Sequence, residues 1–302
     1  MIKAKHKLKT VKDYNLKLDK AEQFFHERYG YLPDPSTITE REAAEFLMWL
    51  REHGWDQNYF RRVFGVFTQF LAFSMNPRAY RIKMLTPKEI PKPIKYYALE
   101  DVRKALKMFK EEPFEELKLK TLIWIYAWTG IRYTEGIRLK YRDIDLKNSV
   151  ITIEEGKGGK SRLVYIPDIL KPLLEKYMER WQHFMELRKE LGMDTSDFLF
   201  VWIRKDGSLL EPYEGFRGYY TKLRRRAEKV SIENFNIKKF RSTMTKLLRE
   251  IGQIELDKVS AQLGHSRTET TEEFYHRMGP TGLEPGYKRV VRKLLIYLGG
   301  ER

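Results

Sequence analysis

The chain has 302 residues, with 58 Lys plus Arg against 42 Asp plus Glu, a formal net charge of +16 at pH 7. Hydrophobic residues make up 42% and aromatics 14%, enough to bury a core, so the charge belongs to a folded surface and not to a disordered basic tail. The absence of cysteine excludes disulfide scaffolds, thiolate nucleophiles and Cys-based zinc sites.

In chain order, residues 1–11 read as a basic arm, with Lys3, Lys5, Lys7 and Lys9 among the first ten positions. A small helical domain is expected over 12–85. Within it, Thr39 with Glu42 downstream resembles an N-cap signal ahead of Ala44, Phe46, Leu47, Trp49 and Leu50 at helical spacing. A second run, Asn58 to Met75, places Phe60, Val63, Phe64, Phe67, Phe70, Leu71 and Phe73 on one broad face. Residues 86–97 hold Pro87, Pro91 and Pro93 with Lys88, Lys92 and Lys95 and show no apolar periodicity, which predicts an extended, solvated linker.

From 98 to 302 a second, larger domain is expected. Helical spacing covers 98–111, 114–129, 168–190, 213–229, 236–251, 256–263, 268–276 and 286–298. Val150–Ile153 and Arg162–Ile166 read as strands around a Gly-rich turn containing Lys157 and Lys160, and Phe198–Trp202 reads as a third strand. The predicted class is mainly α with a small antiparallel β-sheet, preceded by the small all-α N-terminal domain. The apolar face of 286–298 fits packing on a neighbouring copy and packing within its own chain equally well.

The distribution of charge narrows the partner. Residues 217–249 carry eleven Lys or Arg against two Glu. Lys222, Arg224, Arg225 and Arg226 are interleaved with Tyr219 and Tyr220 around the helix, unlike the segregated faces of a membrane-surface helix. Nucleic-acid phosphates are therefore the favoured partner. The longest apolar run, Leu122 to Trp128, is far short of the roughly twenty residues of a membrane span, and the charged first residues lack a signal peptide's apolar region. A soluble, cytoplasmic, nucleoid-associated protein without membrane contact is expected. The six His form no pair at helical spacing, so no metal or other cofactor is expected. Few Asn and Gln beside many Lys, Arg and Glu is a composition that hyperthermophiles favour.

Several residues stand where chemistry is feasible. Arg132 follows a glycine that ends one helix, and Glu135 lies one turn on; the two suit either a guanidinium aimed into a cleft or a buried structural ion pair. Lys157 and Lys160 suit either a solvated turn or a loop that reaches DNA. This loop is not a nucleotide-binding one, because its glycines precede a strand and not a helix. Further on come Lys238-Lys239-Phe240-Arg241, Leu263-Gly264-His265, and Tyr275.

Arg, hairpin Lys, Lys-x-x-Arg, Leu-Gly-His and Tyr occur here in one order, and that order resembles the tyrosine recombinase, or phage integrase, family. Thr129-Gly130-Ile131-Arg132-Tyr133-Thr134-Glu135 resembles its first box, with Arg132 catalytic and Glu135 supporting. The resemblance implies Lys157 as the hairpin lysine, Arg241 as the second catalytic Arg, His265 as the third-box His and Tyr275 as nucleophile. Lys238 stands where most members have His, which resembles integrases of archaeal viruses and plasmids more than Xer-type recombinases. The spacing from His265 to Tyr275 is one residue longer than the common pattern.

The resemblance implies a site-specific DNA recombinase acting through a 3′-phosphotyrosyl intermediate without ATP or Mg²⁺. It also implies double-stranded attachment sites as substrate, and four protomers, monomeric when free, on two duplexes. Integration of a viral or plasmid element is the leading expectation. The alternatives are a cellular Xer-type chromosome-dimer recombinase and an inactive DNA-binding protein of the same fold. Lys3, Lys5, Lys7, Lys9, Lys88, Lys92, Lys95, Lys160, Lys222, Arg224, Arg225 and Arg226 are the expected DNA contacts outside the catalytic set.

Overall fold

The computed structural model describes residues 8–154, 161–263 and 283–296, and the chain divides into two units between Pro93 and Ile94. The predicted helix at 268–276 lies outside the described residues. Among those residues, no helix is long and apolar enough to cross a membrane.

The first unit holds α1 (Leu8–Tyr29), α2 (Glu40–Glu52), α3 (Gln57–Phe73) and α4 (Ala79–Met84). Helix α1 takes in residues 8–11, which the sequence placed in the basic arm, so Lys9 is helical. Thr39 closes a capping box with Glu42: its Oγ1 accepts from the Glu42 amide, and the Glu42 carboxylate accepts from the Thr39 amide at 2.8 Å. Asp56 caps α3 through the Asn58 amide. The core is aromatic, with Phe24, Phe25, Phe46, Phe64 and Phe67 buried and the Phe46 and Phe67 rings edge-to-face at 4.9 Å.

Residues 87–92 are extended and, from Lys88 on, exposed, as the prolines predict, but they are not loose. Arg61 Nε donates to Pro87 O, Gln57 Nε2 to Lys88 O and Asn58 Nδ2 to Ile90 O at 2.7 Å, while Lys92 pairs with Asp56 at 3.0 Å. The segment is laced along α3 by side chains whose positions carry no linker signature in sequence.

The second unit is built round α6 (Phe114–Thr129), whose residues from Leu117 are buried on nearly every side. The apolar run too short for a membrane is thus a core helix. Around it lie α5 (Leu99–Lys107), α7 (Tyr133–Gly136), α8 (Lys171–Glu190), α9 (Pro212–Lys229), α10 (Lys238–Glu250), α11 (Leu256–Leu263) and α12 (Glu284–Ile296). Even Lys118 of α6 is fully buried. Its Nζ donates to Glu115 Oε1 and Val201 O and lies over the Trp202 and Tyr219 rings, at 4.6 and 5.0 Å, tying α6 to residues 201–202 and to α9.

A three-stranded antiparallel sheet runs β1 (Ile144–Asp145), β2 (Val150–Ile153), β3 (Arg162–Tyr165), with Ile153 paired to Arg162. The predicted third strand is displaced. Phe198 makes only an isolated bridge with Lys140, and β4 (Trp202–Ile203) pairs with β5 (Leu209–Leu210). Leu199, Phe200 and Val201 are buried without strand pairing, so the run is apolar because of its burial, whatever its backbone does. Helix α12 packs in its own chain, with Tyr287, Val290 and Leu294 in the core of this unit.

Candidate active site

The site is framed by the end of α6. Gly130 caps that helix in the left-handed conformation, φ 66°, and releases the chain into Ile131 and Arg132. A Cβ on Gly130 would stand 2.7 Å from Leu263 Cδ2 and 3.8 Å from Arg241 Cα, so only glycine lets α6, α10 and α11 meet here. Gly130→Ala is expected to cost about 2 kcal/mol or more, from the left-handed strain plus overpacking against the fully buried Leu263. Denaturant unfolding measures this, and a cost below about 0.5 kcal/mol, the size of an ordinary surface change, would show that the junction is not tight.

Arg132 then begins α7, one turn long. Gly136 in that turn lies against the Tyr126 ring, and Tyr126 Oη donates to Tyr133 O at 2.8 Å, which fixes the turn on α6. Glu135 folds back so that its carboxylate accepts from the Arg132 amide at 2.7 Å and from Arg132 Nη1 at 2.9 Å. The same carboxylate takes a bidentate pair from Arg162, at 3.0 and 2.7 Å. The Arg162 side chain is 4% exposed and that of Glu135 9%, against 30% for Arg132. Burial pushes the Glu135 carboxyl up, but hydrogen bonds and charge from Arg162 and Arg132 outweigh it and hold the group below the ordinary carboxylate range.

Arg241, on α10, arrives from the opposite side. Its Nη1 donates to Gly130 O at 3.0 Å and its Nη2 to Leu263 O at 2.5 Å. Burial first, then the charges of Arg132 and Arg162, pull its guanidinium down to about 10, still charged at neutral pH. Two guanidiniums, those of Arg132 and Arg162, thus bind one carboxylate, and the guanidinium of Arg241 lies near enough to feel their charges, a local excess of positive charge that fits a phosphate diester. Glu135 had two readings in the sequence, and the geometry joins them: it is buried and ion-paired, and it holds Arg132 at the edge of a cationic cluster. Arg162 was missed. Its one signal was an arginine at an inward position of a strand that follows a Gly-rich turn.

Lys238 is exposed one turn before Arg241, with its Nζ 5.4 Å from the centre of the Tyr133 ring. Tyr133 is hydrogen bonded to Tyr213 at the start of α9. Lys222, Arg224 and Arg225 lie exposed along α9, but Arg226 pairs with Glu116 and covers the Phe109 ring, so it packs the helix inward. Lys88 and Lys95 are exposed, as is Lys92 beside Asp56. Lys3, Lys5, Lys7, Lys157, Lys160, His265 and Tyr275 lie outside the described residues. The elements next to them in the chain are described: β2 and β3 precede and follow residues 155–160, and Gln262 at the end of α11 is fully buried and accepts from the Tyr165 amide of β3 at 3.0 Å.

Residues 96–279 match the phage integrase family. Tyrosine recombinase XerA of Pyrococcus furiosus is 27% identical over 295 residues, covering 97% of this chain and 91% of the relative. Tyrosine recombinase XerD of Listeria innocua is 27% identical over 251 residues, covering 81% and 80%. Among solved structures, the XerH site-specific recombinase in a pre-cleavage complex with its difH substrate aligns with a TM-score of 0.62 at 20% identity, over 97% of this chain and 80% of that one. A lambda integrase dimer bound to a COC′ core site gives 0.57 at 15% identity, over 86% and 89%. At these identities the structural likeness is one of fold.

Proposed function

The chain belongs to the phage integrase family, and on that premise we propose that it cuts and rejoins DNA at specific sites with Tyr275 as nucleophile. The observation that carries this reading is the placement of Arg132, held by Glu135 and through it by Arg162, beside Arg241, whose charge the other two arginines feel.

Arg132 and Arg241 donate to the two non-bridging oxygens of the scissile phosphate and stabilise the charge that builds in the pentavalent transition state. The Tyr275 oxygen attacks phosphorus as its proton passes to His265, the bond from phosphorus to the 5′-oxygen breaks, and Lys157 delivers a proton to that oxygen. His265 bonds the phosphate and assists the proton transfers. Lys238 donates to a phosphate oxygen, where a neutral His would have been able to accept a proton. The phosphotyrosyl link keeps the energy of the broken diester, so the 5′-hydroxyl of a partner strand then attacks phosphorus as it gives up its proton, the bond from phosphorus to Tyr275 breaks, and the tyrosine oxygen regains a proton as the new diester forms. Lys222, Arg224 and Arg225 of α9 and the exposed lysines grip the duplex, and four protomers assemble on two duplexes for exchange. The substrate is double-stranded DNA, in keeping with relatives whose structures hold core sites, dimers and tetramers.

Two biological settings fit this chemistry. The near end-to-end match to XerA favours a cellular Xer-type recombinase with a chromosomal site. Lys238 in place of His favours an integrase of a mobile element.

The test uses a duplex selected from a randomised inverted-repeat pool by retention on the protein, with a nick beside the scissile phosphate to trap the intermediate. Wild type is expected to form a denaturant-resistant protein–DNA adduct, and Tyr275→Phe to bind the duplex without forming one. Binding with no adduct from wild type would make the protein an inactive binder, and an adduct that persists in Tyr275→Phe would remove Tyr275 from its role.

A further inference from the structure

Where the chain enters the second unit, residues 95–97 run along one face of α10. Ser242 Oγ donates to Lys95 O at 2.8 Å, Thr243 Oγ1 accepts from the Tyr97 amide at 2.9 Å, Lys246 Nζ lies 5.0 Å from the Tyr96 ring centre, and Lys239 Nζ 5.0 Å from that of Tyr97. Positions 239, 242, 243 and 246 form a single helical stripe. Arg241 and Met244, which meet Gly130, lie on the opposite side. The helix that carries Arg241 is thus held between this strap and the end of α6.

Tyr97 is the one buried residue in an otherwise exposed run from 88 to 98. Its ring packs on Phe240 at 4.9 Å and Phe235 at 6.3 Å. Its hydroxyl takes both backbone groups of one residue, donating to Asn236 O at 3.0 Å and accepting from the Asn236 amide at 2.8 Å. Asn236 in turn starts α10: its Oδ1 accepts from the Lys238 amide and its carbonyl from the Lys239 amide. A phenylalanine would pack the same ring and fix none of this.

Resting on the recombinase reading above, we propose that Tyr97 is a positioning residue for Arg241, its hydroxyl setting where α10 begins and hence where the guanidinium meets the scissile phosphate. The six residues from Asn236 to Arg241 span about one and a half helical turns, short and rigid enough to carry a displacement at the helix start to the guanidinium. A shift of about 1 Å at a transition-state contact is enough to slow a reaction by up to two orders of magnitude.

The experiment measures single-turnover adduct formation by Tyr97→Phe on the selected nicked duplex, together with duplex affinity and thermal stability. The same rate is then taken on a duplex whose scissile phosphate is a methylphosphonate, which lacks the charge that Arg241 answers. Expected are a slowing of about tenfold or more on the natural phosphate, affinity within about twofold of wild type, and a smaller slowing on the methylphosphonate. Tyr177→Phe is the control. It removes a more deeply buried hydroxyl, which donates to Leu199 O at 2.7 Å in the α8 region, and should lower stability while leaving the rate unchanged. Thr243→Val, which keeps the branched shape and loses the bond to the Tyr97 amide, carries the same test should Tyr97→Phe not fold. Cleavage by Tyr97→Phe at the wild-type rate, or equal slowing on both substrates, overturns the proposal while wild-type adduct formation leaves the recombinase reading standing. No adduct from wild type overturns both.

Discussion

Arg241→Ala is expected to slow strand cleavage by about 10²–10³-fold, the loss of one preorganised donor to a transition-state oxyanion. Arg241 is held by two carbonyls, Gly130 O and Leu263 O, which leaves the rest of its donor fork for a phosphate. Its protonation is strained by burial and by the neighbouring Arg132 and Arg162, and a bound phosphate would relieve that strain. The same crowding makes the loss of activity separable from misfolding. Removing one of three neighbouring cations lowers repulsion, which offsets part of the loss of the bonds to Gly130 O and Leu263 O, so stability should fall by no more than about 2 kcal/mol. Arg241→Lys restores charge without the planar fork and should recover little of the rate. Single-turnover cleavage beside a denaturant melt checks both halves, and an unchanged cleavage rate would take Arg241 out of the site.

How far such a site can be read from sequence depends on whether its residues are joined locally. Gly130, Arg132 and Glu135 sit within six positions, so a helix stop and an Arg–Glu pair one turn apart were visible before any coordinates. The apolar period of α3 was equally plain, because burial on one face of a helix repeats every three to four residues. Arg162 was not visible. Its partner is 27 residues away, and its strand is four residues long, too short to set an alternation against which an inward arginine stands out. The two-residue strand β1 has no period at all. The lacing of residues 87–92 onto α3 and of 95–97 onto α10 escaped for a similar reason: bonds from side chains to backbone carbonyls leave no mark in the sequence at the accepting end. Within the basic segment, composition did not distinguish Arg225, which faces out, from Arg226, which pairs with Glu116.

The role of Glu135 is the point at which stability and chemistry meet, and Glu135→Gln should damage both. The amide keeps the shape but cannot balance Arg162, which is almost fully buried, so a loss of about 3 kcal/mol or more is expected, the scale for breaking a buried ion pair from one side. Arg132 loses the partner that orients it, and cleavage by the folded fraction should fall by roughly ten- to a hundredfold. The two losses differ in their response to acid. Because the Glu135 carboxyl titrates in the folded state below its ordinary range near 4.5, its stabilisation is complete above that range and is lost as pH falls through the folded value. The stability gap between wild type and Glu135→Gln should therefore be widest near neutrality and close on acidification. Other carboxylates held down in the fold, such as Glu111, lowered to about 2 by Lys120 and Lys176, are common to both proteins and cancel in the difference. Denaturant melts of the pair from neutral pH down to about pH 3 measure the gap. A gap that stays constant across the range would mean that Glu135 is not ionised between its arginines, and the cationic cradle would then have lost the anion that assembles it.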